Sequence, residues 1–193
     1  MATTPRVFVI TGPSGVGKGT LIRALRERVP GLALAISATT RAPRSGERDG
    51  VDYHFLDGDE FERRVGAGEF VEHAEYSGRR YGTLRSELER ALQSGDAVVL
   101  EIEVQGARQV REAIPDAVAV FIAPPDEAAL RERLTGRGTD SGQQIERRLQ
   151  TAREELAAQT EFRHVVVNDD LGRAADELTA LVDGALRDAP PAV

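Results

Sequence analysis

Short apolar runs alternate with longer amphipathic stretches along most of this chain. The apolar runs that we interpret as buried strands of this alternation lie at 7–10, 32–37, 97–103, 117–123 and 165–168, and a further strand-like run lies at 70–76. The stretches between them carry apolar residues at helical spacing, at 21–29, 84–93, 104–114, 127–134, 143–159 and 171–187. Strands that alternate with helices in this way predict an α/β fold with a central parallel sheet and helices on both faces.

Two segments interrupt this alternation. Residues 38–83 contain shorter strand-like runs and a short helix that Asp57 and Glu60 would cap, so we interpret them as an inserted lobe. Residues 135–142 are rich in glycine and lack apolar anchors, which is typical of a mobile lid. The predicted organisation is one domain over 5–187, with a core of 5–37, 84–125 and 150–187, a lobe at 38–83, a lid region at 126–149 and a tail at 188–193.

The first strand leads directly into a glycine-rich loop and then a helix. Glycines in such a loop allow a tight turn whose backbone N–H groups converge on one anion, and the helix adds its positive dipole end. Lys18 would then reach the terminal phosphates of a nucleoside triphosphate, whereas the alternative is an ordinary glycine-rich turn. The residues predicted to bind the nucleotide here are Gly12, Ser14, Gly15, Val16, Gly17, Lys18, Gly19 and Thr20.

Composition narrows the range of functions. Lys18 is the single lysine among 25 basic residues, which favours a role that arginine does not fill. The formal net charge of −7 argues against broad nucleic-acid binding, which needs a basic face, but not against a small anionic substrate. There is no cysteine for disulfides or thiolate metal sites, and no apolar run reaches the length of a membrane span. We therefore expect a cytoplasmic protein without nucleic-acid, membrane or obligate protein partners.

A pair of arginines marks a second anion site. Arg41 and Arg44 lie three residues apart in a loop that Pro43 stiffens. Two guanidinium groups held in this way suit a phosphate monoester, which each can bind through two N–H groups. A solvated loop with scattered charge explains the same spacing, so both interpretations stay open at this point.

Charged residues at element ends offer further candidates. Glu101 and Glu103 alternate at the end of a predicted strand, where a carboxylate suits Mg²⁺ unless it faces solvent. Gly19 replaces the serine or threonine that usually follows the lysine of such a loop, and Thr20 supplies a hydroxyl one position later. Thr20 and Glu101 are therefore the candidate Mg²⁺ ligands, directly or through water. Arg147 or Arg148, near a helix start that disfavours cations, is expected to serve another purpose than helix stability, although exposed arginine is usually just solvated.

The chain resembles the guanylate kinase family in a series of motifs that occur in the family's order. These motifs are GPSGVGKGT, SATTRAPRSGE, DGVDYHF, YGT, EIEVQGA, RLTGRGTDS and VVVNDDL, from Gly12 to Leu171. The resemblance implies the P-loop nucleoside monophosphate kinase fold, in which the inserted lobe binds GMP. It also implies transfer of the γ-phosphoryl group of ATP to GMP and dGMP, giving ADP and GDP in purine nucleotide metabolism, with Mg²⁺ bound alongside ATP.

The resemblance assigns roles to individual residues. Ser37, Glu72 and Glu103 would read the guanine edge, and carboxylates suit this task because guanine presents N1–H and N2–H donors. The implied GMP-binding residues are Ser37, Arg41, Arg44, Tyr53, Glu72, Tyr81, Thr83 and Glu103. Arg137 and Asn168 join the loop residues at the ATP site, and the implied catalytic residues are Lys18, Arg41, Arg133, Arg137 and Arg148.

One departure and two alternatives accompany this assignment. Glu103 stands where the family usually has aspartate and is one methylene longer. A relative that phosphorylates another phosphorylated small molecule, such as a ribose bisphosphate, would be expected to lack the guanine-reading Ser37 and Glu72 that occur here. A non-catalytic guanylate-kinase-like module that binds phosphorylated proteins would be expected to have a degraded phosphate loop and no GMP-site serine.

Overall fold

The structure, a computed structural model, describes residues 6–76, 78–135 and 142–187. Within these ranges the strands are β1 (Val7–Thr11), β2 (Leu32–Leu34), β3 (Ala38–Thr39), β4 (His54–Phe55), β5 (Phe70–Tyr76), β6 (Arg79–Leu84), β7 (Ala97–Glu101), β8 (Val118–Ala123) and β9 (His164–Val167). The helices are α1 (Lys18–Arg28), α2 (Gly58–Gly66), α3 (Arg85–Ser94), α4 (Val104–Ala113), α5 (Glu127–Thr135), α6 (Gly142–Ala157) and α7 (Leu171–Arg187). Arg137 and most of the predicted lid at 135–142 lie outside the described residues.

The strands form two sheets. The larger sheet has the order β2-β7-β1-β8-β9, and its pairs β2–β7 and β8–β9 are parallel. Helices connect these strands, so the predicted α/β fold with a central parallel sheet is confirmed. The smaller sheet has the order β4-β3-β6-β5, in which β6 pairs antiparallel with both β3 and β5.

The chain divides into two compact units, and the division passes through β1. Within the described residues, the first unit comprises 10–30, 118–135 and 142–187, and the second comprises 6–9, 31–76 and 78–117. In the first unit, a buried cluster of leucines with Ala152 joins α5 to α6. In the second unit, Phe61 of α2 packs against Phe70 of β5 with ring centroids 4.5 Å apart, which fixes α2 on the smaller sheet.

Several predicted boundaries differ from the observed ones for local reasons. The predicted strand at 97–103 ends at Glu101, and Glu103 is instead the N-cap of α4. The N-cap residue Glu103 has an extended backbone, as strand residues do. The alternation of apolar and polar residues therefore continues past the end of the strand and made the predicted strand too long. Asp57 caps α2 as predicted, because its side chain accepts a hydrogen bond from the Glu60 N–H at 2.7 Å. Among the described helices, none combines the length and the apolar character that a membrane crossing requires.

Candidate functional site

The loop between β1 and α1 adopts a backbone that glycine alone accommodates well. Gly12, Gly15 and Gly17 have φ values of 140°, 85° and 97°. A Cβ on Gly12 would lie 2.2 Å from the carbonyl oxygen of Ile122, and a Cβ on Gly17 would lie 2.7 Å from the side-chain nitrogen of Asn168. These glycines are therefore required both for the turn itself and for its close approach to β8 and to the segment after β9.

Lys18, the buried first residue of α1, binds the inside of this loop. Its Nζ donates hydrogen bonds to the carbonyl oxygens of Gly12 at 2.5 Å and Pro13 at 3.3 Å. The N-cap residue of α1 is Gly17, which has no side chain to satisfy the first N–H groups of the helix. The loop thus combines an ammonium group with uncapped backbone donors, which is the chemistry of a phosphate site.

Arg133 and Asn168 converge on the same loop. The carbonyl oxygen of Val16 accepts hydrogen bonds from Arg133 Nη1 at 3.1 Å and from Asn168 Nδ2 at 2.8 Å. Arg133 Nη2 also donates to the carbonyl oxygen of Asn168 at 2.7 Å, which closes the triangle. One cation from α5 and one amide from the residue after β9 are therefore fixed beside the glycine loop.

Helix α6 adds two further side chains to the loop. Arg148 Nη2 donates to the Ser14 hydroxyl at 2.9 Å, which places this arginine at the glycine loop. The Ser14 N–H donates to Glu155 Oε2 at 3.3 Å. Nothing in the sequence pattern singled out Glu155, because its partner lies 141 residues away and its helix carries other acids.

In the second unit, Glu72 of β5 is almost completely buried, with 3% of its surface exposed. Its Oε1 accepts a hydrogen bond of 2.8 Å from the hydroxyl of Thr83, which lies opposite on β6. Its Oε2 lies so close to α4 that a Cβ on Gly106 would be 2.3 Å from it. Burial raises the pKa of Glu72 to about 7, and the charge of Glu103 adds to the rise, while the Thr83 hydrogen bonds lower it.

Glu103 supplies a second carboxylate near Glu72. Although Glu103 is the N-cap of α4, its side chain makes no capping hydrogen bond. Its Oε2 is buried and has no hydrogen-bond partner in the part of the chain that the structure describes. A buried carboxylate oxygen without a donor is costly, so a ligand that brings N–H donors would be favourable here.

Arg41 lies in a compact cluster with aromatic rings. Its Nη1 and Nη2 bind both carboxylate oxygens of Glu47, at 2.9 and 2.8 Å, and the Arg44 N–H donates to Glu47 at 2.7 Å. The guanidinium carbon lies 5.2 Å from the centroid of the Tyr53 ring, which in turn lies 6.3 Å from that of Tyr81. The structure therefore brings Arg41, Tyr53 and Tyr81 together, whereas Arg44 is exposed and joins them through its backbone.

Two residues of this second unit escaped the sequence interpretation. Glu47 is the last residue of the motif SATTRAPRSGE, six residues after Arg41. This short spacing could have predicted the ion pair between Arg41 and Glu47. Glu87 of α3 is buried and binds the N–H of Ile36, which precedes the predicted site residue Ser37. No local pattern marks Glu87, because this contact spans 51 residues.

The predicted Mg²⁺ ligands offer oxygen donors only. Thr20 is exposed on the first turn of α1, and Glu101 is partly buried at the end of β7. A hydroxyl and a carboxylate are suitable hard donors for Mg²⁺, which usually keeps several waters and phosphate oxygens as ligands. No group of three or more histidine, cysteine or acidic residues could hold a metal among the described residues. Each of the two oxygen donors, taken by itself, suits an Mg²⁺ ion that arrives with a nucleotide.

The glycine loop after a buried parallel strand, its lysine and its converging arginines define a P-loop kinase. The guanylate kinase family profile matches residues 4–185. This chain belongs to the guanylate kinase family, as its motifs predicted.

Individual relatives agree over nearly the whole chain. A guanylate kinase of Frankia casuarinae is 57% identical over 177 residues, which cover 92% of this chain and 96% of the relative. A guanylate kinase of Synechococcus sp. (strain CC9311) is 53% identical over 173 residues, which cover 90% of this chain and 91% of the relative. The crystal structure of guanylate kinase from Anaplasma phagocytophilum has a TM-score of 0.73 at 31% identity and covers 95% of this chain and 87% of that one.

Proposed function

We propose that two groups of residues in this chain carry out the guanylate kinase reaction, in which ATP and GMP give ADP and GDP. Family membership and identities above one half over nearly full-length relatives support the reaction itself. The observation that carries the choice of acceptor is a pair of carboxylates, the buried Glu72 and the partly buried Glu103, because Glu103 has an oxygen that lacks a donor among the described residues. We include dGMP as an acceptor, because the assigned residues bind the base and the phosphate, and place the reaction in purine nucleotide metabolism.

The ATP site is assigned to the glycine loop and the residues that converge on it. Backbone N–H groups of the loop and the start of α1 would bind the phosphates, and Lys18 would neutralise them. Lys18 donates hydrogen bonds to two neutral carbonyl groups, so its charge is available to a phosphate oxygen. Asn168, which is held on Val16, would lie near the adenine base, as its position in the family implies.

The acceptor site is assigned to the second unit. Glu72, Glu103 and Ser37 would accept or share hydrogen bonds with the guanine edge, and Thr83 holds the Glu72 carboxylate in place. Adenine presents no N1–H and no 2-amino group, so a buried carboxylate in this position would reject it by leaving its own charge unpaired. The phosphate of GMP would bind to the cluster of Arg41, Tyr53 and Tyr81, with Arg44 beside it.

The chemistry needs little help from acid or base groups. The attacking atom is an oxygen of the GMP phosphate, which is already an anion, so alignment and charge neutralisation dominate catalysis. Arg133, Arg137 and Arg148 are assigned to the transferring phosphoryl group, which gains charge on its equatorial oxygens. Mg²⁺ bound with ATP would neutralise phosphate oxygens further, and Thr20 and Glu101 would hold it directly or through water.

ATP and GMP are the partners that this proposal requires. A cytoplasmic location and independence from nucleic acid, membranes and obligate protein partners stay predictions from composition.

A matched pair of variants tests the proposal. Lys18→Met should lower kcat/KM for the release of ADP from Mg-ATP and GMP by about 100-fold or more, because it removes a cation from the developing charge. Arg23→Met, an exposed cation on the same helix, should change it less than about twofold. A Lys18→Met enzyme with wild-type turnover would contradict the assignment of the loop.

A further inference from the structure

We propose that Glu87 of α3 is a positioning residue for the GMP site, which fixes Ser37 and Tyr53 through a closed ring of hydrogen bonds. This inference rests on the proposed function, in which Ser37 binds the guanine and Tyr53 the phosphate of GMP. Glu87 itself touches neither substrate in this account.

The burial of Glu87 is the first observation. Its side chain is 3% exposed, although a carboxylate leaves water only when its charge and its lone pairs are compensated. Arg90, one turn further along α3, donates to both oxygens at 2.7 and 2.8 Å and compensates the charge. Arg90 is 56% exposed, so this salt bridge by itself would form equally well with Glu87 at the surface.

The ring of hydrogen bonds explains the buried side of the carboxylate. Glu87 Oε1 accepts a hydrogen bond of 2.8 Å from the Ile36 N–H, and Glu87 Oε2 lies 3.4 Å from His54 Nε2. The backbone of His54 returns to the same segment, because its N–H donates to the Ser37 carbonyl oxygen at 2.9 Å. The ring therefore runs from Glu87 through Ile36, Ser37 and His54 and back to Glu87.

Two of the residues assigned to GMP adjoin this ring. Ser37 belongs to the ring, because the N–H of Ile36 before it donates to Glu87 and its own carbonyl oxygen accepts from His54. Tyr53 directly precedes His54 and carries the guanidinium group of Arg41 at 5.2 Å from its ring centroid. One carboxylate on α3 thus sets the backbone next to the base-reading serine and next to the phosphate-binding tyrosine.

The electrostatics of Glu87 agree with this role. Burial raises the pKa of the Glu87 carboxyl, but hydrogen bonds from Arg90, Ile36 and His54 outweigh the burial, so the pKa lies below its ordinary value. Glu87 is therefore an ionised acceptor at neutral pH, when GMP binds. An ionised acceptor binds a backbone N–H more strongly than a neutral one does.

Steady-state kinetics with three variants test the inference. Glu87→Leu fills a similar volume without acceptors and should raise KM for GMP about tenfold, with KM for ATP changed less than about twofold. Glu87→Gln keeps an acceptor for the Ile36 N–H and should restore KM for GMP to within about threefold of the wild type. Glu89→Gln removes an exposed acid from the same helix but leaves the ring, and should change both constants less than about twofold.

Other outcomes overturn the inference in separate ways. An equal effect of Glu89→Gln and Glu87→Leu would mean that any acid on α3 matters, and an equal rise in both KM values would mean a general loss of structure. If Glu87→Leu does not fold, His54→Phe replaces it as the test variant. It removes the contact between His54 and Glu87 and should raise KM for GMP without changing KM for ATP. A wild-type protein without GMP turnover would refute the proposed function, whereas active wild-type and unaffected Glu87 and His54 variants would refute this inference alone.

Discussion

Replacing Glu72 by glutamine should stabilise the protein at neutral and alkaline pH while weakening its affinity for GMP. Burial raises the pKa of Glu72 from 4.5 to about 7. Between these values the native state keeps a proton that the unfolded state has released, so the free energy of unfolding falls as the pH rises. Below pH 4.5 both states are protonated and the effect is absent, and above pH 7 the whole cost of the buried charge is present.

The size of this effect follows from the pKa shift. A rise from 4.5 to about 7 corresponds to about 3 kcal/mol of free energy of unfolding. Glutamine does not titrate, and its carbonyl oxygen still accepts the hydrogen bond from Thr83. The amide is also neutral, so the repulsion between Glu72 and the charge of Glu103 disappears. The stability of Glu72→Gln relative to the wild type should therefore increase by about 3 kcal/mol between pH 4.5 and pH 8.

Urea unfolding at a series of pH values measures this difference. Glu75→Gln provides a matched control, because Glu75 lies on the same strand but is exposed, and its curve should run parallel to that of the wild type. Binding of GMP, followed by calorimetry at pH 8, should be weakened at least about tenfold by Glu72→Gln, since an amide nitrogen replaces one of the two acceptor oxygens. Wild-type and Glu72→Gln stabilities with the same pH dependence, or unchanged GMP affinity, would refute the reasoning.

Two further predictions concern the phosphate loop. Gly12→Ala should lower the free energy of unfolding by about 2 kcal/mol or more, because its Cβ would lie 2.2 Å from the Ile122 carbonyl oxygen. Thermal melting measures the loss, and Gly46→Ala is the control, because open space surrounds Gly46. The difference between the two variants gives the cost of the clash at Gly12. Glu155→Gln should lower KM for ATP about threefold, because it removes a negative charge that the Ser14 N–H binds at 3.3 Å, and a higher KM for ATP would contradict the assignment of that loop to phosphate.

The sequence predicted those parts of the fold that depend on local patterns. The apolar run at 70–76 is β5 with the same bounds, and the glycines of the loop have the positive φ values that such a turn requires. The alternation that ended in Glu101 and Glu103 was misleading, because an extended N-cap residue continues the period of a strand. Helix α4 begins immediately after it.

The supporting carboxylates could not be predicted, because their partners are distant in the sequence. Glu87 binds Ile36 across 51 residues and Glu155 binds Ser14 across 141. Neither acid interrupts the helical spacing of its own element, so periodicity gives no signal for them. Glu47 differs, since it lies six residues from Arg41 within a motif and was open to recognition.

The most direct test of the central claim is a competition between acceptors in one reaction. Purified protein receives Mg-ATP with equal amounts of GMP, dGMP, AMP, CMP, UMP and ribose 1,5-bisphosphate, and the products are separated by ion-exchange chromatography. We predict that GDP and dGDP form with one equivalent of ADP per product, and that the other acceptors stay unchanged. Phosphorylation of the ribose bisphosphate or of AMP in preference to GMP would contradict it, as would an absence of turnover with all six acceptors.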